Sequence, residues 1–374
     1  MMTTQRLSIK RIHSVTRKEV IHILRDPTTL FFAVFIPVLE LLLLGYAIDT
    51  NVRHVRTIVF DEARTQESRT LLRRFTNSDD FQIIGEVFTD ADQAEALVAG
   101  RARVGIKIPE NYSRRVLAGQ TGQVLILVDG SEASVAAEAV NVGNAIALSE
   151  SLERILDGRP MPVDSRPRVL FNPDTRSPNF FVPGLMVVLC QMMAIMLTAN
   201  AIVREKEKGT LEQLFMTPVR SWELMLGKLL PYLVLTTAEF CGVAFLMNQV
   251  FAVPIRGNFL TLLCIALPFF LTMLGAGLWI STKAQTRDAS LQMSIGTVIP
   301  SMFLSGYVFP LDSMPAFFWY FAKLVPTTWM IDASRGVILR GAGWVELWPN
   351  ALILTGMAIF ALVFSSLTFR KQIV

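Results

Sequence analysis

The sequence predicts an α-helical membrane protein with six transmembrane helices and an α/β domain inserted after the first of them. Hydrophobic residues make up 52% of the 374 residues and charged residues only 18%, whereas soluble domains carry about 25% charged residues. The charges are also uneven, because residues 49–179 hold 35 of the 66 charged side chains. A soluble-looking domain is therefore inserted into an apolar chain, which argues against an ordinary cytosolic enzyme.

The six predicted transmembrane helices are the apolar stretches long enough to cross a bilayer. A helix needs about 20 mostly apolar residues to cross roughly 30 Å of hydrocarbon. None of the six stretches contains Lys or Arg. They are residues 30–48, 180–203, 229–250, 259–280, 290–309 and 348–369.

The Lys and Arg residues between the spans predict the orientation, because short cytoplasmic loops are enriched in them. With a cytoplasmic N-terminus, the inner segments carry fifteen Lys and Arg and the short outer loops carry four. Both termini are then cytoplasmic, and residues 49–179 are extracytoplasmic. A cleaved signal peptide is the alternative for the first span, but the 29 residues before it are longer than the basic region of such a peptide.

The segments outside the spans have patterns of their own. Residues 1–29 contain a basic amphipathic helix, which we expect to lie along the inner membrane surface. Residues 49–179 alternate short β-branched runs with helical stretches, which predicts a small α/β fold with a largely parallel sheet. Residues 310–341 are apolar and aromatic but interrupted by prolines. We therefore expect short re-entrant helices in the outer leaflet there.

The sequence lacks the residues that several kinds of catalytic, metal-binding or nucleotide-binding site require. All three histidines lie within the first 54 residues, and the three cysteines have neither disulfide nor metal-ligand spacing. The one Gly-Lys pair, Gly227-Lys228, lacks the upstream glycine of a phosphate loop. We therefore predict no catalytic residues, no metal and no bound cofactor. The excess of Lys and Arg reflects topology rather than binding of nucleic acid.

Two acidic residues lie within predicted membrane spans, where inserting an acid is energetically unfavourable. Glu40 is near the middle of the first predicted span and Glu239 near the middle of the third. A mid-membrane acid costs about 2.5–3.5 kcal/mol on insertion scales and usually faces a cavity or the bundle interior. Both are candidates for a path that takes a cationic or proton-coupled substrate. The alternative is a structural acid, protonated or hydrogen-bonded, with Thr236 and Thr237 as partners for Glu239.

The cytoplasmic loop after the second span, residues 204–218, carries helix-breaking signals in order. Gly209 can end the incoming helix in the left-handed conformation, and Thr210 matches the start of a capping box. Pro218 follows the end of the new helix. The prediction is a short helix over residues 210–216, parallel to the membrane and held between two spans by charged arms. The alternative interpretation is a solvated charged loop.

This loop and residues 304–315 resemble the permeases of ATP-binding-cassette exporters of the ABC-2 type, in particular the multidrug-export subgroup with separate ATPase subunits. The resemblance extends over nearly the whole chain. It implies two paired permeases, identical or paralogous, in the bacterial inner membrane above two ATPase subunits that bind ATP and Mg. A periplasmic adaptor is a further candidate partner.

The resemblance also implies roles for particular residues. The residues implied in coupling to the ATPases are Glu205, Glu207, Gly209, Thr210, Glu212 and Pro218. The candidates for the substrate path are Glu40, Gln191, Met192, Asn200 and, less favoured by this arrangement, Glu239.

The expected function is export of a drug-like, amphiphilic or cationic substrate, with the motor on a separate polypeptide. Two other functions stay open from the residues alone. One is an ion-coupled carrier that works without ATP, although the sequence shows no inverted repeat. The other is a membrane sensor with an outer ligand-binding domain, although little chain follows the last span to carry a signal.

Overall fold

The computed structural model describes residues 9–47, 53–131, 133–156, 170–209 and 221–370. The chain divides into two compact units: residues 1–48 with 169–374 form the first, and residues 49–168 form the second. The first unit is helical, and the second is an α/β fold.

The elements follow one another in this order: α1 (Ile9–Leu24), α2 (Pro27–Ala47), β1 (Val55–Asp61), α3 (Gln66–Thr76), β2 (Phe81–Glu86), α4 (Asp90–Val98), β3 (Val104–Ile108), α5 (Tyr112–Leu117), β4 (Leu125–Val128), α6 (Ala133–Leu156), α7 (Ser177–Glu207), α8 (Ser221–Phe251), α9 (Phe259–Lys283), α10 (Arg287–Leu304), α11 (Ala316–Leu324), α12 (Pro326–Arg335) and α13 (Trp344–Arg370).

Four helices in the described part of the chain are long and apolar enough to cross a membrane: α7, α8, α9 and α13. They contain the second, third, fourth and sixth predicted spans. In α2 an apolar helical stretch of the described residues covers Val34–Ala47. Helix α10 has 18 residues and begins with Arg287 and Asp288. Six spans therefore stay a prediction, with four supported by helix length and composition.

Helix α7 is the centre of the first unit. Every residue from 182 to 191 is buried, which is the pattern of a helix that is apolar all round and surrounded by others. Helices α2, α8, α9, α10 and α12 all pack against it. The approach of α9 requires a glycine, since a Cβ added at Gly277 would lie 2.6 Å from the carbonyl oxygen of Ile195.

The second unit is built on a four-stranded sheet with the order β2-β1-β3-β4. Strand β1 pairs in parallel with β2 and β3, and β4 runs antiparallel to β3. The largely parallel sheet predicted from the strand–helix alternation is confirmed. Its main core lies under α3, α5 and α6 and contains Phe75, Ile106 and Ile108. An extracytoplasmic position for this unit stays a prediction.

The segment between α10 and α13 folds into short elements. Helices α11 and α12 have nine and ten residues, and neither can cross about 30 Å of hydrocarbon. A single π-helical turn over Gly336–Arg340 follows them. This agrees with short helices over residues 310–341, while their depth in the outer leaflet stays a prediction.

Candidate coupling site

A group of charges, three of them buried and one partly exposed, joins α1, α7 and α8 at the end of α7. Lys228 of α8 has a side chain only 2% exposed, and its Nζ lies 3.2 Å from a carboxylate oxygen of Glu19. The same Nζ pairs with Glu205 of α7, which also pairs with Lys18. We call these four residues the charge cluster. Because it holds two cations and two anions, a buried lysine is tolerated there.

Four consecutive residues at the end of α7 contact four different parts of the first unit. Arg204 pairs with Asp26 at 2.9 Å, between α1 and α2, and Glu205 belongs to the charge cluster. Lys206 donates to the carbonyl oxygen of Ser281 at 2.6 Å, near the end of α9. Glu207 pairs with Arg287 at 3.0 Å, at the start of α10. Successive residues point about 100° apart around a helix, so this end of α7 is bound on every side.

Helix α1 is seated closely on α8. A Cβ added at Gly227 would lie 2.7 Å from Cβ of Val15, and the hydroxyl of Thr16 donates to the Gly227 carbonyl at 3.1 Å. The buried residues of α1 are Val15 and Glu19. The apolar residues Ile9 and Leu24 are exposed, so α1 retains an apolar surface that can meet lipid.

A charged environment surrounds His22 near the end of α1. Its pKa is lowered from the ordinary value, first by burial and then by the nearby cation of Arg204. A neutral imidazole is therefore favoured at physiological pH, which avoids adding a further cation beside the charge cluster.

The structure brings some of the predicted coupling residues together. Glu205 and Glu207 lie at the end of α7, as described. Gly209 has a φ of +65°, which confirms that it ends the helix in the left-handed conformation. Thr210, Glu212, Pro218 and the predicted helix over residues 210–216 lie outside the described residues.

Residues of the charge cluster that the sequence interpretation missed are Lys18, Glu19 and Lys228. From the sequence, Lys228 is considered only as a loop cation and as part of a rejected phosphate-loop motif, and Glu19 is not singled out within the basic helix. One local signal was present: Gly227 immediately precedes Lys228, and a glycine at a helix surface permits close approach of another helix.

The candidate residues for the substrate path are dispersed over the first unit and do not form one site. Gln191 is 2% exposed and joins three helices: its Oε1 accepts from Thr327 of α12 at 2.6 Å, and its Nε2 donates to Ser301 of α10 at 3.0 Å. Glu40, Met192 and Asn200 are half-buried. Gln191 therefore faces the protein interior in this conformation, and the role of all these residues in a path stays a prediction.

Replacing Gln191 by Leu is expected to destabilise the first unit by about 1–3 kcal/mol, since Ser301 and Thr327 lose a buried partner. The measurement is the unfolding midpoint of the detergent-purified protein. Met192→Leu on the same helix is the matched control, because it removes no hydrogen bond and nearly conserves volume. Equal midpoints for the two variants would contradict the prediction.

No group of three or more His, Cys, Asp or Glu residues that could hold a metal ion occurs within the described ranges.

Comparison with known proteins identifies the family. The profile of the ABC-2 family transporter protein matches residues 27–367. The chain belongs to the ABC-2 transporter family. Members of this family are the membrane components of ABC transporters and work with ABC ATPase subunits.

Three permeases of Escherichia coli K12 are similar to this chain over most of its length. The "Probable multidrug ABC transporter permease YbhS" is 29% identical over 99% of this chain and 98% of its own length. The corresponding YbhR is 25% identical over 97% and 99%. The "Inner membrane transport permease YhhJ" is 30% identical over 77% and 78%. These likenesses agree with a permease that crosses the membrane several times.

Proposed function

We propose that this chain is the permease subunit of an exporter that moves a drug-like, amphiphilic or cationic substrate out of the cytoplasm, driven by separate ATPase subunits. Two permeases, as identical copies or paralogues, pair in the bacterial inner membrane with both termini cytoplasmic. Two ATPase subunits bind below, and ATP and Mg belong to them. A periplasmic adaptor is a further candidate partner.

The charge cluster is the observation that carries this proposal. The segment between α7 and α8 is predicted to contact the ATPase and to move with it. Glu205 on α7 precedes this segment, and Lys228 on α8 follows it. A displacement of that segment therefore acts on both α7 and α8, which the charge cluster connects to each other and to α1. Buried charge pairs suit this role because they are costly to separate singly, so the three helices move together.

The substrate path is proposed along α2 and α7. Glu40 on α2 supplies an acid that can attract a cationic substrate. Met192 and Asn200 on α7 offer an adaptable apolar group and a polar group. Gln191 would reach the path only if α7, α10 and α12 separate during the cycle, since these helices now enclose it.

The test is purification of the chain with a candidate ATPase, followed by ATP hydrolysis and substrate transport in lipid vesicles. We expect substrates to stimulate hydrolysis, and Glu205→Gln to reduce that stimulation about tenfold or more, as expected for the loss of a charged hydrogen bond worth 1.5–3 kcal/mol. The ATPase should still co-purify with this variant.

The matched control is Glu95→Gln in the α/β unit, because Glu95 forms an exposed pair with Arg101 at 2.9 Å. Such a pair contributes little, so stimulation should stay as in the unmodified protein. Transport by the homogeneous protein without nucleotide would contradict the proposal and favour the ion-coupled carrier.

A further inference from the structure

Glu239 of α8 is half-buried, and one of its two carboxyl oxygens lies inside the protein without a hydrogen-bond partner among the described residues. Its Oε1 is sealed from solvent and accepts no hydrogen bond within the described part of the chain. The hydroxyl of Thr236, one turn earlier, is likewise buried and without a partner among the described residues. Thr237, the other expected partner, donates instead to the carbonyl of Leu233 at 2.7 Å.

The helical register directs Glu239 toward the interior of the first unit. It lies eleven residues beyond Lys228, which is about 16 Å along the axis and about 20° around it. Glu239 is therefore on the face of α8 that carries the charge cluster, roughly half a bilayer deeper. Tyr232 and Thr236, both buried, occupy the intervening turns of that face. On α7, Cys190 lies within electrostatic range of Glu239.

Within the described part of the chain, no cation neighbours Glu239. At its level the titratable groups are Cys190 of α7 and Cys241 of α8. Lys206 of α7 and Lys283 of α9 lie in the last turns of their helices, and Lys18 and Glu19 of α1 belong to the charge cluster. Glu40 of α2 would add a like charge, and α13 has no charged residue between 347 and 369.

A carboxylate here would be a charge at mid-membrane depth with no counter-ion among the described residues, which is far more costly than a neutral acid. The neutral acid has one O–H donor and remaining acceptor capacity, so it can exchange a hydrogen bond with the Thr236 hydroxyl. We propose that Glu239 is a proton-binding site inside the membrane, with Thr236 as its neighbouring hydroxyl.

The proposal is tested by labelling the full-length protein in detergent with dicyclohexylcarbodiimide, an apolar reagent that reacts with protonated carboxyl groups. The carboxyl O–H adds across one C=N bond, and transfer of the acyl group to nitrogen gives a stable acylurea that retains every atom of the reagent. Peptide mass spectrometry then reads the adduct at Glu239, whatever the export activity of the chain.

We expect the adduct at pH 7 to exceed that of a water-exposed carboxyl by at least about 100-fold, since an acid with a pKa near 4.3 is protonated in only about 1 molecule in 500 at that pH. Glu95, whose side chain is 72% exposed, is the internal comparison. Labelling should be equal in sodium and choline buffers. It should fall as the pH is raised far enough to ionise the site.

Infrared spectroscopy supplies an independent readout. The carbonyl stretch of a neutral carboxylic acid should be present in the unmodified protein and reduced in Glu239→Gln, with Glu40→Gln as the matched variant in another span. Absence of the adduct at Glu239, labelling no greater than at Glu95, or an unchanged infrared band in Glu239→Gln would overturn the proposal. Protection by sodium would also overturn it, because the site would then bind a metal cation.

Discussion

Replacing Lys228 by Met is expected to lower the free energy of unfolding of the first unit by about 3–5 kcal/mol. The substitution keeps an unbranched side chain but removes the cation that lies between Glu19 and Glu205. Two buried carboxylates then lose their shared partner, and breaking a buried pair from one side leaves an uncompensated charge. The measurement is the unfolding midpoint of the purified protein in detergent or lipid discs.

Arg101→Met provides the control for Lys228→Met, because it breaks a pair in which both side chains are more than half exposed. That change should cost about 0–1 kcal/mol. In the double variant Lys228→Met with Glu205→Gln, part of the loss should be recovered, since residues in contact are not additive. A loss equal to that of Arg101→Met would contradict the view that the charge cluster is buried and interdependent.

The substitution Gly277→Ala is expected to separate α7 from α9 locally and to destabilise the protein. The new Cβ would meet the carbonyl oxygen of Ile195 at 2.6 Å and Cβ of Thr198 at 3.0 Å. A backbone atom cannot move aside as a flexible side chain can, so the helices themselves must shift. Overpacking typically costs about 1–3 kcal/mol, and we expect a value at the upper end. The unfolding midpoint measures it.

Gly356→Ala in α13 is the matched control, since no atom lies within 4 Å of its added Cβ. Alanine is favoured over glycine in a helix by up to about 1 kcal/mol, so this variant should be unchanged or slightly more stable. If both alanines had the same effect, close contact between α7 and α9 at Gly277 would be refuted.

Local patterns predicted those features that depend on a single stretch of chain. The long apolar runs predicted α7, α8, α9 and α13, because length and hydropathy alone decide whether a helix can span a membrane. Gly209 was predicted in the left-handed conformation for a similarly local reason. The order of strands and helices in the α/β unit also followed from the alternation of short β-branched runs with helical stretches.

Contacts between distant parts of the chain could not be predicted in this way. Lys18 and Glu205 are 187 residues apart, and Gln191 and Thr327 are 136 apart. Helical register tells which residues share a face, but it does not tell which helix lies opposite. The sequence therefore does not indicate that Lys228 holds the most buried charge of the charge cluster. Gln191 was predicted to line a path, whereas its partners on α10 and α12 enclose it.

The four contacts at the end of α7 limit the ways in which this helix can move. Turning α7 about its own axis by a single residue would carry Arg204, Lys206 and Glu207 away from their partners simultaneously. Sliding or tilting together with those partners keeps each pair intact. We therefore expect the working motion of α7 to be a translation or a tilt rather than a rotation about its own axis. A spin label on α7 should then keep the same neighbours on α8 and α9 throughout the cycle, whereas a rotation of α7 about its own axis would change its distances to both helices.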